Sequence, residues 1–170
     1  VLNDRKKSSD HFHAYINPGR LIDEEASKVH GITNQDLENE PMFAAIADDF
    51  IEFIQGSTLI IHNAPFDVGF LNSELKAVSA KYPKLEDICE IEDSLVIARS
   101  KFPGQRNSLD ALANRFEVSG YDRSFHGALL DANILADVYI YLTGGQSKFE
   151  FSDNTISSTK NQNDNKSSMS

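Results

Sequence analysis

The sequence is short of cysteine, of cationic charge and of long apolar runs. Cys89 is the one cysteine in 170 residues, so no internal disulfide can form, and a reducing cytoplasm is the expected compartment. No run of apolar residues is long enough to span a bilayer. The first residues, Val1-Leu2-Asn3-Asp4-Arg5-Lys6-Lys7, lack the apolar core of a signal peptide. Lys and Arg number 16 against 26 Asp and Glu, a net charge of −10, which excludes coating nucleic acid by bulk electrostatics. It leaves room for an enzyme that grips one strand end through metal ions, where a carboxylate cluster holds the cations and the cations supply the positive charge. There is no internal repeat.

Apolar residues make up 40% and charged residues 25% of the chain, which is globular composition at a length that suits one domain. Phe12-His13-Ala14-Tyr15-Ile16 alternates and stops at Asn17-Pro18-Gly19, which predicts a strand and a turn. Val1-Leu2 reads as the tail of an earlier strand, and Asp4 to Lys7 as a solvated connecting turn. Asp23 to Val29 predicts a short helix with an acidic first turn, stopped by Gly31. Pro41 opens a helix in which Phe43, Ile46, Ala47, Phe50, Ile51 and Ile54 recur at helical spacing. Thr58-Leu59-Ile60-Ile61 is a continuous apolar run, the mark of a strand buried on both faces in a parallel sheet. Pro65 opens the next helix, through Lys76. Ile88 to Ile91 reads as another strand, Asp93-Ser94 as a cap for the helix after it, and Ser108 as the N-cap for Leu109 to Phe116. A last helix runs from about Ala128 to Leu142. Strands alternating with helices imply an α/β fold, with sites at the carboxyl ends of the strands.

The chemistry gathers at two such places. His62-Asn63-Ala64-Pro65-Phe66-Asp67 follows the apolar strand and puts Asp67 in the first turn of a helix. His126-Gly127-Ala128-Leu129-Leu130-Asp131 opens the last helix, with His126 in the turn before Asp131. Two carboxylates on one rim repel unless a cation lies between them. A histidine beside them can move a proton near neutral pH. Together they are what metal-assisted phosphodiester hydrolysis needs, with Asp67 and Asp131 on Mg²⁺ or Mn²⁺ and His126 as general base. Taken singly, Asp67 and Asp131 also read as ordinary first-turn helix acids and His126 as a turn histidine. His62 is read as a support for the strand end, Phe70 as core, and Cys89 as a small buried apolar residue.

These two stretches resemble the second and third sequence motifs of the DEDDh 3′→5′ exonucleases. Phe12 to Pro18, Val29-His30-Gly31-Ile32-Thr33, Phe102 to Leu112 and Thr143-Gly144-Gly145-Gln146 extend the resemblance to the epsilon (proofreading) subunits of bacterial DNA polymerase III, over roughly Phe12 to Phe151. The resemblance implies a ribonuclease H-like fold, a mixed sheet flanked by helices. It makes Asp67 and Asp131 the third and fourth acids of the family's set and His126 its base. It sets Glu25 and His30 against the terminal nucleotide and Phe66 against the terminal bases, which suits stacking on a single strand. The implied partners are a single-stranded 3′ end of DNA, the polymerase catalytic (alpha) subunit, the small theta subunit and the sliding clamp.

The family's first motif, Asp-x-Glu on the first and central strand, is absent. Asp23-Glu24-Glu25 has its spelling but lies in a predicted helix and is not a substitute. A chain without that strand and two of four metal carboxylates is expected to be inactive or nearly so and poorly stable, within an active parent protein. The predicted domain is 1–146. From Ser152 onward the composition turns to Ser, Asn, Thr, Lys and Gln, so 147–170 is expected to be a flexible tail. Within 146–151, Gln146 followed by Phe149 and Phe151 resembles a clamp-binding peptide, and reads equally as a frayed helix end. Two other functions stay open: an RNA-trimming enzyme of the same class, resembling ribonuclease T or oligoribonuclease, and a non-catalytic tether between polymerase and clamp.

Overall fold

The computed structural model describes residues 1–122, 124 and 127–144. It opens on a short antiparallel hairpin, β1 (Leu2–Asn3) with β2 (Lys6–Lys7), turned by Asp4 and Arg5, both at positive φ. The segment is an exposed turn, as expected, but Arg5 and Lys7 in it are not free cations. Lys7 Nζ lies 2.9 Å from an Asp137 carboxylate oxygen and donates to the Tyr121 hydroxyl at 2.7 Å, and Arg5 donates to the Thr143 hydroxyl at 2.8 Å. Burial alone would lower the Lys7 pKa, but the Asp137 and Tyr121 bonds outweigh it and raise it. Residues 10–16 form no strand either, despite their alternation. They are anchored instead by Phe12, whose ring sits 5.9 Å and 5.6 Å from those of Phe50 and Phe53. A period of two marks a strand only where a neighbouring backbone is there to pair with it.

Helix α1 (Glu24–His30) is capped by the Asp23 carboxylate and ends at Gly31, whose φ of 73° closes the last turn in the left-handed region. Thr33 and Asp36 form a capping box on α2 (Asn34–Leu37). Helix α3 (Phe43–Ile54) begins two residues after Pro41, at the Met42 N-cap, so the proline leads into the helix rather than starting it. Strand β3 (Thr58–Ile61) is followed by α4 (Ala64–Val78), α5 (Leu85–Ile88), β4 (Glu90–Asp93), α6 (Ser94–Lys101), α7 (Leu109–Arg115) and α8 (Ala128–Thr143). β3 and β4 pair in parallel, with Thr58 opposite Glu90 and Ile61 opposite Asp93. This is α/β architecture, with helices flanking a small sheet. β3 is half-buried rather than covered on both faces.

Two apolar clusters hold the chain together. Ala47, Ile54, Ala64, Val68, Leu75 and Leu85 join α3, α4 and α5, with Leu59, Ile61 and Ile91 of the strands against them. Ala98, Leu112, Ala113, Ile134, Val138 and Leu142 join α6, α7 and α8. A polar seam links the two. His62 Nδ1 lies 2.9 Å from the Ser94 hydroxyl, and His62 Nε2 lies 2.8 Å from the Asn107 carbonyl oxygen. That carbonyl can only accept, so Nε2 carries a proton. Asn107 is buried, donates through Nδ2 to the Phe102 and Gln105 carbonyls, and accepts from Arg115.

Leu75 is fully enclosed in the first cluster, whereas Phe53 on α3 keeps 42% of its surface exposed. Leu75→Ala is expected to lower unfolding free energy by about 3 kcal/mol, through lost burial and the cavity left behind. Phe53→Ala should cost clearly less, its ring being already part-solvated. Urea denaturation of both variants checks the order.

Candidate active site at the carboxyl ends of the strands

The parallel pair ends in two strand-to-helix turns side by side. After β3 the chain passes through His62, which the seam holds, and Asn63, which takes a left-handed conformation at φ 73° and ψ 55°. Such a conformation is uncommon outside glycine and tolerable for asparagine. The turn is sharp enough for α4 to start at once, with proline accepted in its first turn because no N–H is needed there.

Asp67 occupies that first turn. Its side chain is exposed, but the protein around it displaces enough water to push its carboxyl above the ordinary range, partly offset by its own backbone N–H. Phe66 beside it is 73% exposed, and Phe70 is 56% exposed. Phe70 is therefore not core. Ala64, Val68, Leu71 and Leu75 form the inward stripe of α4, and residues 66 and 70, one turn apart, fall on the opposite face.

The other expected residues sit as follows. Asp131 lies in the first turn of α8, where its N–H donates to the Gly127 carbonyl at 2.9 Å and one carboxylate oxygen is shielded from solvent. Glu25 is on α1, with an 83% exposed side chain that accepts from Lys28 at 2.8 Å. The Asp23-Glu24-Glu25 run is thus the start of a helix, its first acid spent on the cap. His30 ends α1, and its Nδ1 accepts from the Ile32 N–H at 3.0 Å. His126, Gln146, Phe149 and Phe151 lie outside the described residues, as does the 147–170 tail.

Asp67 and Asp131 offer hard oxygen donors of the kind Mg²⁺ and Mn²⁺ take. A carboxyl held up by lost hydration is one that a nearby cation would favour in its charged form. In that respect Asp67 fits a divalent ion. Among the described residues, no group of three or more His, Cys, Asp or Glu is close enough to hold a metal. Cys89 is no competing site: burial, then Glu86, raises its pKa, and its thiol donates to the Leu85 carbonyl. No described helix is long and apolar enough to cross a membrane.

One residue of this region was legible only as half of what it does. Asp93 was expected to cap the helix that follows it. Its Oδ1 does accept from the Leu95 N–H at 2.9 Å, but Oδ1 also accepts from the Asn63 N–H and Oδ2 from the Ala64 N–H, each at 3.1 Å. The β3–β4 register, which sets Ile61 beside Asp93, brings the second helix within reach.

The chain is α/β, with an acidic strand-to-helix turn at the carboxyl end of a parallel pair, and comparison with known proteins narrows what it is. The sequence profile described as Exonuclease matches residues 1–139, and the chain belongs to that family. It is 48% identical over 151 residues to the DNA polymerase III subunit epsilon of Escherichia coli (strain K12), covering 89% of this chain and 62% of that protein. It is 54% identical over 144 residues to the epsilon subunit of Rickettsia typhi (strain ATCC VR-144 / Wilmington), covering 84% of the chain and 63% of that protein. The chain thus spans less than two thirds of the length of these curated relatives. A solved structure of Exonuclease X in complex with 5′ overhanging duplex DNA superposes with a TM-score of 0.62 at 25% identity, over 86% of this chain and 81% of that one.

The raised Asp67 carboxyl has a stability consequence. A folded-state value above the unfolded one favours the folded chain at pH below the unfolded value, and that contribution is lost as pH rises through the folded value. Without metal, Asp67→Asn is therefore expected to melt higher than the parent near pH 7, with the gap closing in acid. Thermal melts in a chelator across that range check it. A variant that melts lower at neutral pH would mean the carboxylate is favoured, not penalised, where it sits.

Proposed function

We propose that the chain is the catalytic part of a 3′→5′ exonuclease that removes mismatched nucleotides for the bacterial replicative DNA polymerase. The observation that carries this is the β3–α4 turn, which sets Asp67 at the strand end beside a largely exposed Phe66, in a chain of the exonuclease family. Phe66 stacks on the terminal bases of a single strand, a contact that tolerates any base. Glu25 and His30 hold the terminal nucleotide, His30 through Nε2, since its Nδ1 accepts from the Ile32 N–H. Asp67 and Asp131 hold Mg²⁺ or Mn²⁺. The family generally uses divalent metals, which when bound neutralise the phosphate and the charge developing on the leaving oxygen. His126 takes the proton from the attacking water, the bond from phosphorus to the 3′ oxygen breaks, and the last nucleotide leaves with its 5′ phosphate.

The epsilon relatives' name supports assembly with a polymerase, the alpha subunit being the expected neighbour, with theta and the sliding clamp as further partners in the cytoplasm. Gln146, Phe149 and Phe151 form the proposed clamp contact.

The test is nucleotide release from 5′-labelled single-stranded DNA and from a 3′-mismatched primer-template, in Mg²⁺, by the protein expressed from its whole gene. Removal from the 3′ end, faster at the mismatch, is expected. Asp67→Ala, Asp131→Ala and His126→Ala should each lower the rate about a hundredfold or more with the fold retained. An enzyme that degrades the matching RNA and spares DNA would replace proofreading with RNA trimming, because the 2′-hydroxyl is read locally. Full activity in all three variants would remove the metal and base assignments.

A further inference from the structure

We propose that Asp93 is a positioning residue for Asp67. Its carboxylate clamps the left-handed turn after β3 and thereby aims the first turn of α4 at the substrate. The proposal rests on the nuclease reading of Asp67 given above. Asp93 is the last residue of β4 and stands opposite Ile61, the last of β3. From there one carboxylate serves two helices: Leu95 N–H of α6, and Asn63 and Ala64 N–H at the head of α4. With both oxygens taken up by three donors, Asp93 acts as an anchor for backbone rather than as a ligand. Asn63 stands at φ 73°, a conformation that asparagine tolerates without preferring, so bonds to the turn are needed to fix it there. The bonds to Asn63 and its neighbour supply that hold. Asp67 follows Ala64 by three residues within the same rigid helix, so a loosened turn swings its carboxylate as the helix end swings. Reacting groups tolerate displacements well below an ångström, so a small swing is felt in the chemical step rather than in the fold.

Serine at this position separates the two duties. It is as good an N-cap as aspartate, so α6 and overall stability should survive. Its single short oxygen cannot also reach across to α4. For Asp93→Ser we expect a melting temperature close to the parent's and a kcat lowered about tenfold or more, with the KM for single-stranded DNA little changed. Amide exchange at Asn63 and Ala64 should speed up about tenfold or more while Leu95 stays protected. Asp93→Asn, with one acceptor oxygen, should fall between the two. A purely structural residue would instead lose melting temperature and exchange protection throughout α6, with kcat following stability.

Parent-like kcat in Asp93→Ser together with protected Asn63 and Ala64 amides would overturn the proposal. So would rapid exchange of those two amides in the parent itself, which needs no variant. If the parent cuts no oligonucleotide, the nuclease reading is lost, and exchange at Asn63 and Ala64 still decides whether the clamp exists.

Discussion

The parallel pairing of β3 with β4, in a register that sets Ile61 against Asp93, is the constraint on which the rest of the molecule depends. Parallel strands end on the same side, so the helices that follow them start side by side with their N–H groups unsatisfied. A single carboxylate placed there satisfies donors from both. The acidic turn that carries Asp67 is therefore a consequence of strand register, and its geometry is only as firm as that register.

A hydrogen-bonded run from Ile61 through Ser94, His62 and Asn107 to Arg115 joins the elements of the two apolar clusters. Each buried polar group along it has a partner, which is the condition under which such a seam is tolerated. Its effect is angular. Hydrogen bonds fix the direction in which the α6–α7–α8 unit meets the strand ends, where apolar contact alone would permit sliding. Asp131 rides on α8 in that unit and Asp67 on α4 in the other.

Charge is distributed to the same end. In a chain of net charge −10, Arg5 and Lys7 are committed to α8, and Lys28 to Glu25. At Asp67 the shift is set by lost hydration rather than by a neighbouring cation. A chain of net negative charge suits a site in which a bound metal, rather than lysine or arginine, would meet the phosphate.

Local sequence determined a good deal of this. Helical spacing marked α3, α4 and α8, turn chemistry marked Gly31 and Ser108, and the apolar run marked β3, because each of these signals is satisfied within a few residues of itself. Asp67 could be placed at a strand end for the same reason. What failed were inferences that needed a distant partner. Phe12 to Ile16 alternates like a strand, but among the described residues no strand pairs with it. Phe70 is apolar yet points away from the stripe of α4 that packs. Arg5 and Lys7 look like free surface cations until α8 comes to meet them across 130 and more residues. Asp93 showed its own helix cap in sequence and concealed the second, since whether a carboxylate reaches another helix is settled by register and strand spacing. Burial, pairing and the sharing of one acceptor between two helices belong to tertiary structure because they depend on what the rest of the chain brings alongside.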